Sequence, residues 1–222
     1  MPDITKRLAW VPVIASLCAQ GADLPPGARK TSTRWHPDWS LKVQEAAPRR
    51  ITTWVYNGQP DPFDGNVIAR CAPSTGMLLD GKPIAVLCKQ VEQRTTDENG
   101  QWGFDAMRVP GSVDRVQRWT YNAIGQKLTA VSPDTGTTVW GYHADETADH
   151  RPTDLASETT SDGRVTRYTR YDRAGRLLER IDPNGIVTLQ AHDLRGRLLS
   201  RSVGGRTTRY TYRTRAVGCD ER

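Results

Sequence analysis

The stretch Tyr171-Asp172-Arg173-Ala174-Gly175-Arg176-Leu177-Leu178-Glu179-Arg180-Ile181-Asp182-Pro183-Asn184-Gly185 decides the fold. Just before it, Arg164 to Tyr171 alternates and is rich in Val, Thr and Tyr, the pattern of a β-strand. Asp172-Arg173-Ala174-Gly175 then reads as a tight turn. The Asp carboxylate can accept from turn amides, and Gly takes positive φ without a Cβ clash. Leu177 to Ile181 reads as the return strand. Asp182-Pro183-Asn184-Gly185 reads as the next turn, with Pro presetting φ and Gly closing it.

Working outward, the unit recurs. Tyr171 maps to His192, Asp172 to Asp193, Gly175 to Gly196 and Leu177-Leu178 to Leu198-Leu199, each a step of 21 residues. Upstream, Tyr121-Asn122-Ala123-Ile124-Gly125 holds the aromatic, the Asx and the Gly at the same offsets, and Tyr142 follows Tyr121 by 21. Tyr212 follows His192 by 20, and Trp35 precedes Tyr56 by 21. Strand, turn, strand, turn at this period predicts an all-β antiparallel meander of repeated hairpins. One unit cannot bury its apolar face alone, so stability must come from its neighbours. The anchors Tyr56, Tyr121, Tyr142, Tyr171 and Tyr212, with His192 as the variant member, are expected to form a row across the sheet. Leu128, Leu178 and Leu199 are expected to form a companion row of cross-strand pairs.

Composition agrees with a thin sheet. Only 36% of the 222 residues are hydrophobic, against roughly 45–50% apolar residues in an ordinary soluble domain. Seven Trp and seven Tyr against two Phe favour half-exposed strands, where one end of the ring is buried and the other wet. The net charge is +6, but the Arg residues are interleaved with Tyr, Thr and Asp and form no block. That is a solvated strand face more than a nucleic-acid surface.

These residues resemble the Rhs/YD-repeat family. The resemblance rests on Tyr171-Asp172-x-x-Gly175-Arg176-Leu177 with Asp182-Pro183-x-Gly185, on the same frame at 121, 142 and 192, and on Trp35-His36-Pro37-Asp38-Trp39 followed by Arg50 to Gly58. It covers roughly Arg29 to Tyr212. It implies a curved sheet of hairpins that spirals into a hollow shell, enclosing or presenting a toxic C-terminal domain. It also implies partners among neighbouring repeats or a toxin domain of the parent protein. Full shells of the family need more repeats than this chain holds, so the chain reads as a partial shell. A truncated gene fragment is one alternative. A secreted or surface carbohydrate-binding module, using Trp35, Trp39, Trp54, Trp102, Trp119 and Trp140, is another. The expected organisation is an atypical segment at 1–28, Rhs-type hairpins with a loop-rich insertion at 29–118, YD repeats at 119–212 and a tail at 213–222. The open edges of a partial sheet invite self-association.

No catalytic constellation accompanies the repeat, so the protein is not expected to be an enzyme. There is no G-x-S-x-G elbow, P-loop or dinucleotide fingerprint. The carboxylate pairs Asp97/Glu98 and Asp145/Glu146 lie in polar sequence and read as solvated loops. Of the cysteines at 18, 71, 88 and 219, Cys71 and Cys88 flank an apolar run. A disulfide between them would suit an oxidising compartment; two buried thiols are the alternative. No Cys and His spacing resembles a zinc site, and no metal or cofactor is expected. Lys6 and Arg7 before Leu8 to Ala19 have the layout of a secretory signal, though Asp3 and Pro12 interrupt it. The expected location is secreted or cell surface if that signal is genuine, and otherwise cytoplasmic before export. No segment reaches transmembrane-helix length.

Overall fold

The computed structural model describes residues 25–212. The signal-like stretch with Cys18, and the tail with Cys219, lie outside the described residues. The first half of the chain forms β1 (Ser32–Trp35), β2 (Lys42–Ala47), β3 (Arg50–Tyr56), β4 (Pro60–Asp61), β5 (Val67–Ile68), β6 (Leu87–Arg94) and β7 (Arg115–Tyr121). The second half forms β8 (Lys127–Ser132), β9 (Gly136–Tyr142), β10 (Leu155–Thr159), β11 (Val165–Tyr171), β12 (Leu177–Ile181), β13 (Val187–His192), β14 (Leu198–Val203) and β15 (Arg206–Arg209). Thirteen of these strands make one open sheet in the order β1-β2-β3-β6-β7-β8-β9-β10-β11-β12-β13-β14-β15. Every pairing is antiparallel, so the predicted all-β meander is what forms. The short β4–β5 pair stands apart from it. Strand β7 runs across positions 118 and 119, so the early hairpins and the later repeats share one sheet.

The ladder sorts the side chains onto two faces, because paired residues and i, i+2 neighbours point the same way. Val91 pairs with Val116, Arg118 with Val131, Val139 with Thr159 and Thr159 with Val165. Arg167 pairs with Ile181, and Ile181 with Val187. These β-branched residues therefore line one face. Trp54, Trp119, Trp140 and Tyr168 lie on the other, linked through Gln90, Ala130 and Glu158.

The core is confined to the first half. Ala46 on β2 is buried, as are Ile51, Val55, Cys88, Val91 and Tyr121 on β3, β6 and β7, the strands that flank the two long insertions at 57–86 and 95–114. Beyond Tyr121, among the described residues, only Thr188 is fully buried. The repeat half is thus a single layer. With so little area removed from water, its order must rest on ladder bonds, turns and specific side-chain ties.

The expected rows need correction. Tyr56, Tyr121, Tyr142, Tyr171 and His192 end β3, β7, β9, β11 and β13, which are not adjacent in the sheet. A strand intervenes between successive anchors, so they do not pair with one another. Leu128, Leu178 and Leu199 are likewise not cross-strand partners. Each is the extra residue of a β-bulge opposite an anchor: Tyr121 pairs with Lys127 while Thr120 pairs with Thr129, leaving Leu128 over. Leu178 stands opposite the Arg170–Tyr171 step in the same way, and Leu199 opposite Ala191–His192. A bulge adds local twist and re-aims the side chain beside it.

Candidate functional site

The anchors share a geometry that the bulge makes available. The Tyr56 hydroxyl donates to the carbonyl oxygen of Lys42 at 2.8 Å, Tyr121 to Leu87 at 3.0 Å and Tyr142 to Lys127 at 2.9 Å. Tyr171 donates to Leu155 at 2.7 Å, and Tyr212 to Leu198 at 2.9 Å. Each acceptor is the first residue of the preceding long strand of the sheet. The first four anchors also pair through their backbones with the first residue of the following strand: Tyr56 with Leu87, Tyr121 with Lys127, Tyr142 with Leu155 and Tyr171 with Leu177. The result is a seam along one end of the sheet, in which Tyr56, Tyr121, Tyr142 and Tyr171 each tie the strands on both sides of their own, and Tyr212 reaches back to β14. Burial pushes the phenols of Tyr56, Tyr121 and Tyr142 up in pKa, and Tyr171 up to about 12, with the charge of Asp154 and then Tyr168 adding to it.

Two positions break the seam. Trp35 ends β1 opposite Lys42, with Val43 as the bulge residue, but its ring has no hydroxyl and is exposed. His192 ends β13 opposite Leu198. Tyr142 lies three residues beyond Val139, which pairs with Thr129, and Lys127 lies two before Thr129. His192 lies three beyond Leu189, which pairs with Glu179, and Leu177 lies two before Glu179. His192 therefore occupies the same place relative to Leu177. The shorter ring makes no such bond, and its Nδ1 is buried without a hydrogen-bond partner.

The predicted turn residues form a second motif beside the seam. Asp172 Oδ1 accepts from the amides of Ala174 and Arg176 at 2.9 and 3.0 Å, while Oδ2 takes the Arg176 Nε at 2.6 Å. Asp193 repeats this with Arg195 and Arg197, at 2.9, 2.9 and 2.7 Å. At the earlier turn Asn122 and Gln126 replace the ion pair with a neutral one, Asn122 Nδ2 donating to Gln126 Oε1 at 2.8 Å. Asp182 accepts from Asn184 and Ile186 in the turn that holds Pro183. Gly125, Gly175, Gly185 and Gly196 all sit at φ between +74° and +83°, as these turns require. The Arg197 amide holds the Asp193 carboxyl below its ordinary pKa against a smaller push from burial, and the Arg197 guanidinium and the Arg195 amide add to that. Arg176 also reaches the next repeat, donating from a terminal guanidinium nitrogen to the Asp193 carbonyl at 2.8 Å. Gln126 makes the matching reach to Thr153 at 2.9 Å.

Sequence reasoning missed both the seam's acceptors and these turn-to-turn ties. The acceptors are carbonyls, which every residue type carries. The ties had a signal: a long polar side chain four residues after each Asx, at Gln126, Arg176 and Arg197. Cys71 and Cys88 are joined by a disulfide with a Cα separation of 5.4 Å. It closes the first insertion, where Cys71 N–H donates to Asn57 Oδ1 and the Cys71 carbonyl accepts from Tyr121 N–H. Asp97 is a correction to the solvated-loop reading: it is buried and accepts from the amides of Gly100, Gln101 and Trp102, capping a loop. Its neighbour Glu98 is exposed and pairs with Arg49. The tryptophans are dispersed. Trp35 and Trp102 are exposed, Trp39 stacks on His36, and Trp54 donates to Gln90.

The model of the RHS repeat matches residues 148–188, the span from the loop before β10 to the start of β13. No curated protein matches the chain. Among solved structures, the chain is similar to one described as TcdB2-TccC3-TEV, with a TM-score of 0.47 and 15% identity over 82% of this chain and 8% of that one. It is also similar to TcdB2-TccC3 without the hypervariable C-terminal region, with a TM-score of 0.43 and 13% identity over 84% of this chain and 11% of that one. The chain therefore spans about a tenth or less of the length of the solved chains it matches. Residues 148–188, within the repeat half of the sheet, match the RHS repeat.

Proposed function

We propose that this chain is a section of shell wall, extended by further repeats, that encloses or presents a toxin segment of its parent protein. The observation that carries the reading is the seam. It is a structural device repeated along the sheet, and it ties hairpin to hairpin with no reactive group at its centre. Among the described residues, β1 and β15 each have one neighbour, and such edges suit further repeats or a second copy of the chain. Arg197 supports the reading. Its counterpart Arg176 reaches the next turn, whereas Arg197 lies over the ring of Tyr212, 4.5 Å from its centre. The Cys71–Cys88 bond suits a protein that works in an oxidising compartment. The reading assigns the chain no catalysis.

The test is protease protection. The chain is prepared with the toxin-like segment that its native locus supplies, and that segment is digested with and without the chain. It should survive a protease dose that degrades it alone. Equal digestion in both samples would count against enclosure.

A further inference from the structure

The repeat is least regular at 143–154, between β9 and β10, where the turn glycine of the other units is missing. This loop is nonetheless well tied down. Its Asp149 carbonyl accepts from Tyr171 N–H at 2.6 Å, its Asp149 carboxylate takes Arg170 at 3.2 Å, and its Thr153 accepts from Gln126. A sequence that leaves its pattern while keeping its order is where function is expected.

Within the loop, His143, Asp145 and His150 converge. One ligand atom from each lies within 4.8 Å of the other two. The two imidazoles stack, with centroids 3.6 Å apart. Each ring spends one nitrogen on a backbone carbonyl: His143 Nε2 lies 3.1 Å from the oxygen of Tyr168, and His150 Nδ1 lies 3.3 Å from that of Asp145. A carbonyl accepts only, so these nitrogens carry the protons in the neutral rings. That leaves His143 Nδ1 and His150 Nε2 with free lone pairs, the arrangement that second-layer hydrogen bonds impose on metal-bound histidines. The Asp145 carboxylate is exposed and, among the described residues, takes part in no ion pair.

We propose that His143, Asp145 and His150 form a binding site for a divalent transition-metal ion. Two imidazoles and one carboxylate suit zinc, nickel or copper, where a calcium site would call for oxygens alone. Parallel rings aim their in-plane lone pairs side by side, so closing the site turns the His150 ring out of the stack. The ion would pin the irregular loop to β9. His150 also borders a cleft of about 430 Å³ with Glu146, Tyr171 and Asp172, leaving room for water or a ligand on the open coordination positions. The expectation of no metal centre set the histidines against the cysteines. The signal it passed over is His143-x-Asp145 followed by His150. This site does not depend on the shell reading.

The experiment is calorimetric titration of the full chain with zinc chloride. A Cys18→Ser/Cys219→Ser background prevents those two cysteines from supplying ligands. One zinc ion per chain is expected, with affinity reduced at least about tenfold in both Asp145→Asn and His150→Ala. Asp145→Asn changes an exposed carboxylate and keeps the test valid if His150→Ala disturbs the loop. Absence of zinc binding would overturn the proposal, as would affinity unchanged in either variant.

Discussion

The Tyr171 hydroxyl donates to the Leu155 carbonyl at 2.7 Å, joining the end of β11 to the start of β10, while the Tyr171 backbone faces Leu177 at the start of β12. One residue thus links three strands of a sheet that has almost no buried apolar core in this region. Tyr171→Phe removes the bond and keeps the ring. It is expected to cost about 1 kcal/mol, read as a lower midpoint in urea denaturation with an unchanged slope.

The same tyrosine makes the fold sensitive to alkali. Burial first, then the charge of Asp154, holds its phenol up to about 12, whereas in the unfolded chain it ionises near about 10. The folded state keeps a proton in that window that the unfolded state has lost, so stability is full below about pH 10 and falls towards about pH 12. Denaturation midpoints measured at about pH 9 and about pH 11.5 should fall, and Tyr171→Phe should make the fall shallower.

The disulfide holds the first insertion to the sheet. Replacing both Cys71 and Cys88 by serine frees a loop with a sequence separation of 17, which is expected to cost about 3 kcal/mol. The loss should appear as a lower melting temperature, and reduction of the unaltered protein should reproduce it.

Turn glycines separate conformation from crowding. At Gly175 φ is +74° and an added Cβ meets nothing within 4 Å, so Gly175→Ala should cost only the left-handed penalty, about 1–2 kcal/mol. At Gly136 φ is +70° and the Cβ would lie 2.6 Å from Ser161 Cβ. Gly136→Ala should therefore lower the melting temperature further. Equal losses at the two sites would show that the Ser161 contact relaxes freely.

Much of this was legible in the sequence because it is local. The Asp172 and Asp193 turns depend on residues within four positions of each other, and the 21-residue step carries them from unit to unit. The seam was half legible. The positions of the tyrosines could be read, but their partners are carbonyls brought near by a bulge, and neither a bulge nor an acceptor carbonyl has a residue code. Leu128, Leu178 and Leu199 looked like a packing row for the same reason. Asp97 looked solvated because its neighbours are polar, yet it is their amides that bury it. The meeting of His143 with His150 needs the loop to close, which the irregular unit gave no period to foresee.

His192 offers the most direct test of the seam. It stands where a tyrosine hydroxyl would reach the Leu177 carbonyl, and its Nδ1 is buried with no partner. His192→Tyr should complete the seam and raise stability by about 1 kcal/mol, measured by urea denaturation against the unaltered chain. A midpoint that stays the same or falls would contradict the claim that these hydroxyls hold the repeats together.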